Sequence, residues 1–305
     1  MPLADDDSLR DLLISLYPGL IFDGVPAPSG QRVVYFCHFD FNACPNKKWV
    51  EWGGVVLKVS EGTSTQVITY IQREIEILKH MGTSGYPDLL YDEVVREDPS
   101  TEERFPYMRF ITIEERIESS PLSDVTHLFD TEERVIELLL KLLHVLQPLW
   151  EWSPPLIHRD LKPQNILITP QMDVVVIDLG IVRVVGDSGV TLSAMPYGPC
   201  TPKYSSPEQA VNDKQNITFK SDFFSLGVLC YELLSGKNPF CEEDDLLDEI
   251  LAKVVGLVPP QLNVVTGCSE SFGAVISKMI EKKPYKRYRK VGDLIEVLNN
   301  LKEEK

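Results

Sequence analysis

The string His158-Arg159-Asp160-Leu161-Lys162-Pro163-Gln164-Asn165, followed thirteen residues after Asn165 by Asp178-Leu179-Gly180, constrains this chain more than any other feature. Apolar, β-branched runs at Ile166–Ile168 and Val174–Ile177 read as short strands bracketing a turn. One possible base, one cation and two possible metal ligands therefore lie on two strand-flanked turns.

Upstream, the first hundred residues mix strands with helix. Residues 6–17 fit a short amphipathic helix. Ile21-Phe22-Asp23-Gly24 and Arg32–Phe39 read as hairpin strands joined by a turn rich in Pro and Gly. Trp49–Val59 reads as another strand, with Val55-Val56-Leu57-Lys58 near its end. Over 64–80, Ile68, Ile71, Ile75 and Leu78 recur at helical spacing, with Glu74 beside that face. Strands are expected near Leu89–Val95 and Tyr107–Ile113, and Glu114–Ser120 as a linker. Beyond Pro121 the chain turns helical. Asp130, with Glu133 three residues on, is the expected cap of a buried helix running to about Trp150. Ser221 is the expected cap of Asp222–Ser235, and 244–254, 270–281 and 291–302 are helical too. This order predicts an α+β chain: a small sheet-rich lobe over 1–114, a larger helical lobe over 115–305, and a cleft between.

A chain of 305 residues with 43% apolar and 25% charged side chains suits a globular body with an ample core. No apolar run approaches the roughly 20 residues of a membrane span, and Met1–Arg10 carries no signal-peptide pattern. The net charge of −16 argues against nucleic acid or an anionic membrane as a main partner. Six scattered cysteines form no C-x-x-C pair and point to reduced, cytoplasmic thiols.

Each part of the opening string has a mechanical reason to be present. An acid near a substrate hydroxyl accepts its proton and orients attack, a role for Asp160. Lys162, two residues on, projects beside it and steadies a moving phosphoryl group. Asn165 and Asp178 supply oxygen ligands of the kind Mg²⁺ takes alongside nucleotide phosphates. Lys58, on its strand, can hold the remaining phosphates, and Glu74 can fix the lysine from the helix. Together these parts point to phosphoryl transfer from a nucleotide.

With these residues in place, the chain resembles a eukaryotic-type (Hanks-type) serine/threonine protein kinase over nearly all its length. His158–Asn165 resembles the catalytic loop, and Asp178-Leu179-Gly180 the metal-binding Asp-Phe-Gly. Val55–Lys58 resembles the Val-Ala-Ile-Lys strand, with Glu74 as the helix glutamate. Thr201–Glu208 resembles the end of the activation segment. Asp222–Gly227 resembles the buried helix that anchors the catalytic loop, and Arg287 the arginine that pairs with Glu208. Ser206–Ala210 is similar to the bacterial branch. The resemblance implies a bilobal kinase-like fold, ATP and Mg²⁺ as cofactors, and a protein substrate. It implies catalytic roles for Asp160, Lys162 and Thr201, nucleotide contacts at Gly24, Gly30, Lys58, Val56 and Glu74, and adenine contacts from the Glu115–Ile117 backbone. Arg159 implies an activation segment ordered by phosphate at Thr191 or Ser193, with Ser188 behind them, pairing with Arg159 and Arg183. It also allows a transient dimer for autophosphorylation.

The chain departs from that pattern in its glycine-rich loop. Asp23–Gln31 holds two glycines and two prolines, and proline has no N–H to offer a phosphate. Residues 41–52 look like an insertion, expected as a surface loop. A scaffolding pseudokinase and a small-molecule kinase of similar fold stay open beside an active protein kinase.

Overall fold

The computed structural model describes residues 3, 5–29, 32–82, 85–179, 183–184 and 201–303. Its chain divides into two compact units, Met1–Glu118 and Ser119–Lys305.

The first unit is built on one antiparallel sheet. Its elements are α1 (Asp7–Leu16), β1 (Leu20–Phe22), β2 (Ala27–Ser29), β3 (Arg32–Phe39), α2 (Lys47–Glu51), β4 (Gly54–Gly62), α3 (Thr65–Met81), β5 (Leu89–Glu97) and β6 (Arg104–Glu115). The strand order is β1-β3-β4-β6-β5, with β2 also pairing with β3. Period-two alternation sends Tyr35, Cys37, Val55, Leu57, Val59, Ile111 and Ile113 to one face. There they pack with Leu9, Leu12, Leu13 and Tyr17 of α1 and its flank. The other face receives α3 through Ile71, Ile75 and Phe110. Asp6 caps α1, its carboxylate accepting from Leu9 N–H at 2.8 Å. Tyr17 donates a short hydrogen bond to Glu93, tying α1 to β5.

Two segments differ from the sequence reading. The Pro/Gly-rich stretch contains β2, with Pro28 opposite Val33. A proline is tolerated there because β2 lies at the sheet edge, where its missing N–H leaves no ladder bond broken. Residues 41–52 are not a bare surface loop. Trp49 lies in α2 rather than a strand, and its ring meets Tyr17, Phe39 and Tyr91 at centroid distances of 5.6, 5.3 and 6.0 Å. Aromatic packing of this kind holds the insertion onto the sheet.

The second unit contains β7 (Ser120–Pro121), α4 (Glu132–Trp150), β8 (Leu156–Ile157), β9 (Ile166–Ile168), β10 (Val174–Val176), β11 (Arg183–Val184), α5 (Pro207–Ala210), α6 (Phe219–Ser235), α7 (Leu247–Gly256), α8 (Leu262–Thr266), α9 (Glu270–Met279) and α10 (Val291–Glu303). Its core is α4 and α6, with Leu139, Leu142, Leu146, Phe223 and Phe224 fully enclosed. Gly227 lets α6 approach α9: a Cβ there would come within 2.9 Å of Met279 Cβ. Two expected caps shift. Thr131, not Asp130, caps α4, while Asp130 pairs with Arg134. Thr218 caps α6, and Ser221 returns the bond from the third helical position. In both cases the residue whose backbone is extended takes the cap. Among the described residues no helix is long and apolar enough to cross a membrane.

Candidate active site

The loop from β8 to β9 is positioned from below by one carboxylate. Asp222, fully enclosed in the first turn of α6, accepts from His158 N–H at 3.0 Å, Arg159 N–H at 2.9 Å and the Trp150 indole at 2.8 Å. Burial holds its pKa above the usual carboxylate value, with nearby His158 and then these donors opposing only part of the rise. Holding two successive N–H groups bends the chain so that Arg159 takes φ of 73°, in the left-handed region. Gln209 of α5 donates to the Arg159 carbonyl at 2.9 Å and fixes the same bend from the other side.

The bend delivers Asp160 into a ring of donors. Lys162 Nζ lies 2.7 Å from Asp160 Oδ2, and Asn165 Nδ2 donates to the same oxygen at 3.1 Å and to the Asp160 carbonyl at 2.9 Å. Thr201 donates its hydroxyl to Oδ1 at 2.6 Å and its N–H to the same atom at 3.1 Å. Lys162 Nζ also reaches Thr201 Oγ1 at 3.0 Å. Burial would raise the Asp160 carboxyl. The hydrogen bonds from Lys162 and Thr201 and the Lys162 charge outweigh it and hold the pKa below the usual value. Asp160, Lys162 and Thr201 thus form one contiguous cluster with Asn165.

Asn165 spends its amide N–H₂ on Asp160, which leaves its side-chain oxygen as an acceptor. Its backbone carbonyl accepts from Ile177 N–H at 3.0 Å, joining it to the residue before Asp178. Asp178 follows with φ of 66°. An amide oxygen and a carboxylate on linked turns fit a hard oxygen-seeking cation. Mg²⁺ commonly takes only one or two carboxylates, the rest of its shell being phosphate and water. Among the described residues there is no cage of three or more His, Cys, Asp or Glu side chains.

Below the loop, Arg287 forms a two-pronged pair with Glu208, at 2.6 and 2.9 Å, with both side chains almost wholly buried. Its remaining donors go to the Lys220, Glu281 and Lys282 carbonyls at 2.8, 2.7 and 3.4 Å, and Ser221 Oγ donates to Glu208 at 2.7 Å. Ser206 and Gln209 close a capping box on α5.

In the first unit the expected ion pair is replaced. Lys58 pairs with Glu114 of β6 at 2.7 Å, not with Glu74. Glu74, buried on α3, takes both prongs of Arg32, at 2.9 and 2.8 Å. Strand register explains the exchange. Lys58 lies opposite Thr112, and Glu114 is two residues along β6 on that same face. Val56, opposite Glu114, shares the face with Lys58. Glu114 is therefore a strand residue, not part of a linker, and the signal for it was its period-two relation to Thr112 within an otherwise apolar run. Gly24 takes φ of 88° between β1 and β2, away from the hairpin tip. The N–H groups of Glu115 and Arg116 are already donated, to the Asp88 carbonyl at 2.9 Å and the Gly54 carbonyl at 3.2 Å. Within the Glu115–Ile117 stretch expected to meet adenine through its backbone, these two N–H groups are thus engaged inside the unit; half-buried Ile117 lies just past β6. Gly30, Ser188, Thr191, Ser193 and the side chain of Arg183 lie outside the described residues.

The sequence profile of the protein kinase domain matches residues 54–297. The chain belongs to the protein kinase family. The kinase match leaves out the first 53 residues, so the likeness stops short of the whole chain and short of the proline-bearing loop. Kinase relatives include serine/threonine-protein kinase PknB of Mycobacterium tuberculosis, 33% identical over 209 residues, covering 67% of this chain and 31% of the relative. PknB of Mycobacterium leprae is 32% identical over 183 residues, covering 59% and 28%. PknH of Mycobacterium bovis is 29% identical over 180 residues, covering 58% and 29%. The likeness thus spans less than a third of the length of these relatives.

Proposed function

We propose that this kinase-family chain transfers the γ-phosphoryl group of ATP to serine or threonine hydroxyls of protein substrates, with Mg²⁺ as its metal. The observation that carries this is the Asp160 cluster. The carboxylate is kept ionised by Lys162 and Thr201, with one oxygen receiving Lys162 Nζ and the other the Thr201 hydroxyl. In that state it can accept a proton from an incoming hydroxyl, while Lys162 offers positive charge beside it. Asn165 and Asp178 would hold the metal, which when bound neutralises phosphate charge. Serine and threonine as acceptors are supported by the names of the relatives. The cytoplasm is the proposed setting, since ATP is available there and the buried free thiols Cys37, Cys44 and Cys230 need no oxidant. Regulation by phosphate at Thr191 or Ser193 is part of the same proposal, with Arg159 as its receiver.

The test is incorporation of label from ATP, with Mg²⁺, into the protein itself or a generic protein substrate. Asp160→Asn should reduce the rate by roughly a thousandfold or more, because both the base and the charge that orients Lys162 are lost. Undiminished labelling in that variant would refute the assignment. Nucleotide binding without any turnover would favour a pseudokinase, a reading that the proline-bearing loop keeps in play. Phosphate appearing as Ser and Thr esters after proteolysis would fix the acceptor class.

A further inference from the structure

Acidic side chains outnumber basic ones 46 to 30 in this chain, so a cation with no acid beside it is the exception. Several of these exceptions gather in one stretch. Lys282–Lys290 holds six Lys and Arg side chains and no acid. Two of the six are used inside the second unit, Arg287 on Glu208 and Lys282 on the Val254 carbonyl. The other four, Lys283, Lys286, Arg289 and Lys290, are exposed. Of these four, only Lys286 reaches an acid among the described residues: Glu281, at 4.0 Å, the limit of an ion pair.

The local backbone presents them together. Lys283 precedes the 3-10 turn Pro284–Lys286, and in such a turn side chains three residues apart project side by side, which pairs Lys283 with Lys286. Arg287 and Tyr288 are buried, so the stretch is anchored immediately before Arg289 and Lys290. Lys278 of α9 stands over the Tyr288 ring at 4.1 Å and adds positive charge beside Arg289. Tyr285, at the middle of the turn, is 70% exposed.

We propose that Lys283, Lys286, Arg289 and Lys290, with Tyr285 among them, form a docking surface for an acidic segment of a protein partner.

Charge decides the occupant. Like charges held together on a fixed backbone repel one another in the folded chain, and a run of carboxylates turns that repulsion into attraction. Arg289 offers a planar fork that matches a carboxylate, and the lysines add point charges around it. An exposed tyrosine beside an arginine is the pairing that protein interfaces favour, because each supplies contact area as well as hydrogen bonds. The size of the patch separates a short peptide from a longer polyanion. Electrostatic reach at physiological salt is about 8 Å, so a short acidic segment feels the patch and little else. A nucleic acid or an anionic membrane extends well past that distance and would lie against a body whose net charge is −16. Binding here needs no turnover, so it is read separately from phosphoryl transfer.

The probe is a fluorescently tagged peptide of about twelve residues alternating Glu and Gly, titrated with the full chain and followed by anisotropy. Its dissociation constant should rise roughly tenfold or more between about 50 and about 300 mM salt. At the lower salt, Lys283→Glu with Arg289→Glu should weaken binding roughly tenfold or more, since two attractions become repulsions. Lys48→Glu with Lys237→Glu changes two exposed cations elsewhere and lowers the net charge by the same amount, and should alter binding less than about twofold. Tyr285→Ala should weaken it roughly threefold. Equal weakening by the two double variants would reduce the effect to net charge and overturn the proposal, as would failure of the unaltered chain to hold the peptide. Tighter binding of a single-stranded oligonucleotide or of vesicles rich in anionic lipid, lost in the Lys283–Arg289 variant, would overturn the class of partner. Salt-sensitive self-association in sedimentation that the variant loses and the peptide does not displace would assign the surface to a second copy instead. Should the charge-reversed variant fail to fold, Lys283→Gln with Arg289→Gln puts the same question, with a loss of roughly threefold expected.

Discussion

The two units hold their charged residues in different ways. In the second, the acidic groups that shape the site are held redundantly. Asp222 takes three donors, two of them backbone N–H groups from consecutive residues, and Arg287 spends donors on Glu208 and on three carbonyls. No single rotamer change releases either group. In the first unit, Lys58 and Glu74 each have one ion-pair partner among the described residues, and the four charges involved can in principle be re-paired. The lesson is that main-chain acceptors and donors fix geometry, whereas side-chain ion pairs choose among geometries.

That contrast breaks most visibly at Arg287. Arg287→Ala strands Glu208 in a site with almost no solvent, at a cost of about 3–5 kcal/mol. It should lower the unfolding midpoint of the second unit in urea, and a loss under about 1 kcal/mol would show that the network is less fixed than its geometry implies. Arg287→Lys should not rescue fully, since one ammonium cannot reproduce the fork.

Thr201 gives a smaller effect, and one confined to rate. Thr201→Ala removes the hydroxyl from Asp160 Oδ1 and should lower kcat about tenfold to a hundredfold, the worth of one hydrogen bond to an ionised carboxylate. Thr201→Ser should keep most of it, with stability nearly unchanged in both. Equal kcat in the Ala variant would mean that Lys162 and Asn165 suffice to orient the acid.

How legible this was in the sequence follows the same division. The elements that carry period-two or helical patterns, such as β3, β6 and α3, lie where the spacing of Val, Ile and Leu put them. The Asp160, Lys162 and Asn165 cluster could be located because short-range spacing brings those residues together within one loop. The partners of Lys58 and Glu74 were not legible, because they depend on which strand lies beside β4 and in what register. Glu114 and Lys58 are far apart in sequence and meet only after the ladder forms. The shift of the α4 cap from Asp130 to Thr131 has a similar origin: both residues can cap, and the backbone decides which one is extended. Trp49 misled because a strand-favouring residue followed by Val50 looks like a strand start, when its ring is serving the core from a short helix.

Even the fixed unit contains one group free to titrate near neutrality, and it sharpens the comparison. Lys282 sits against the Phe240 ring at 3.9 Å and donates to the Val254 carbonyl at 2.7 Å, close to Arg287. Burial first, and then the Arg287 charge, lower its pKa from 10.5 to about 8, against a small opposing pull from Glu281. The sign of the linkage follows from proton counts. Below about pH 8 the lysine is protonated both folded and unfolded, so this group adds no pH dependence but leaves the fold carrying a buried charge. Between about 8 and 10.5 the folded chain has released the proton and the unfolded chain has kept it, so unfolding takes up a proton and stability rises with pH. Lys282→Met should flatten that rise and stabilise the fold modestly at pH 7, because an apolar side chain between Phe224 and Phe240 needs no desolvation of charge. Urea midpoints of the two proteins, measured from pH 7 to 10, should therefore converge as pH increases. Parallel curves would place the Lys282 ammonium in contact with water, and the packing around Arg287 would then be looser than its hydrogen bonds indicate.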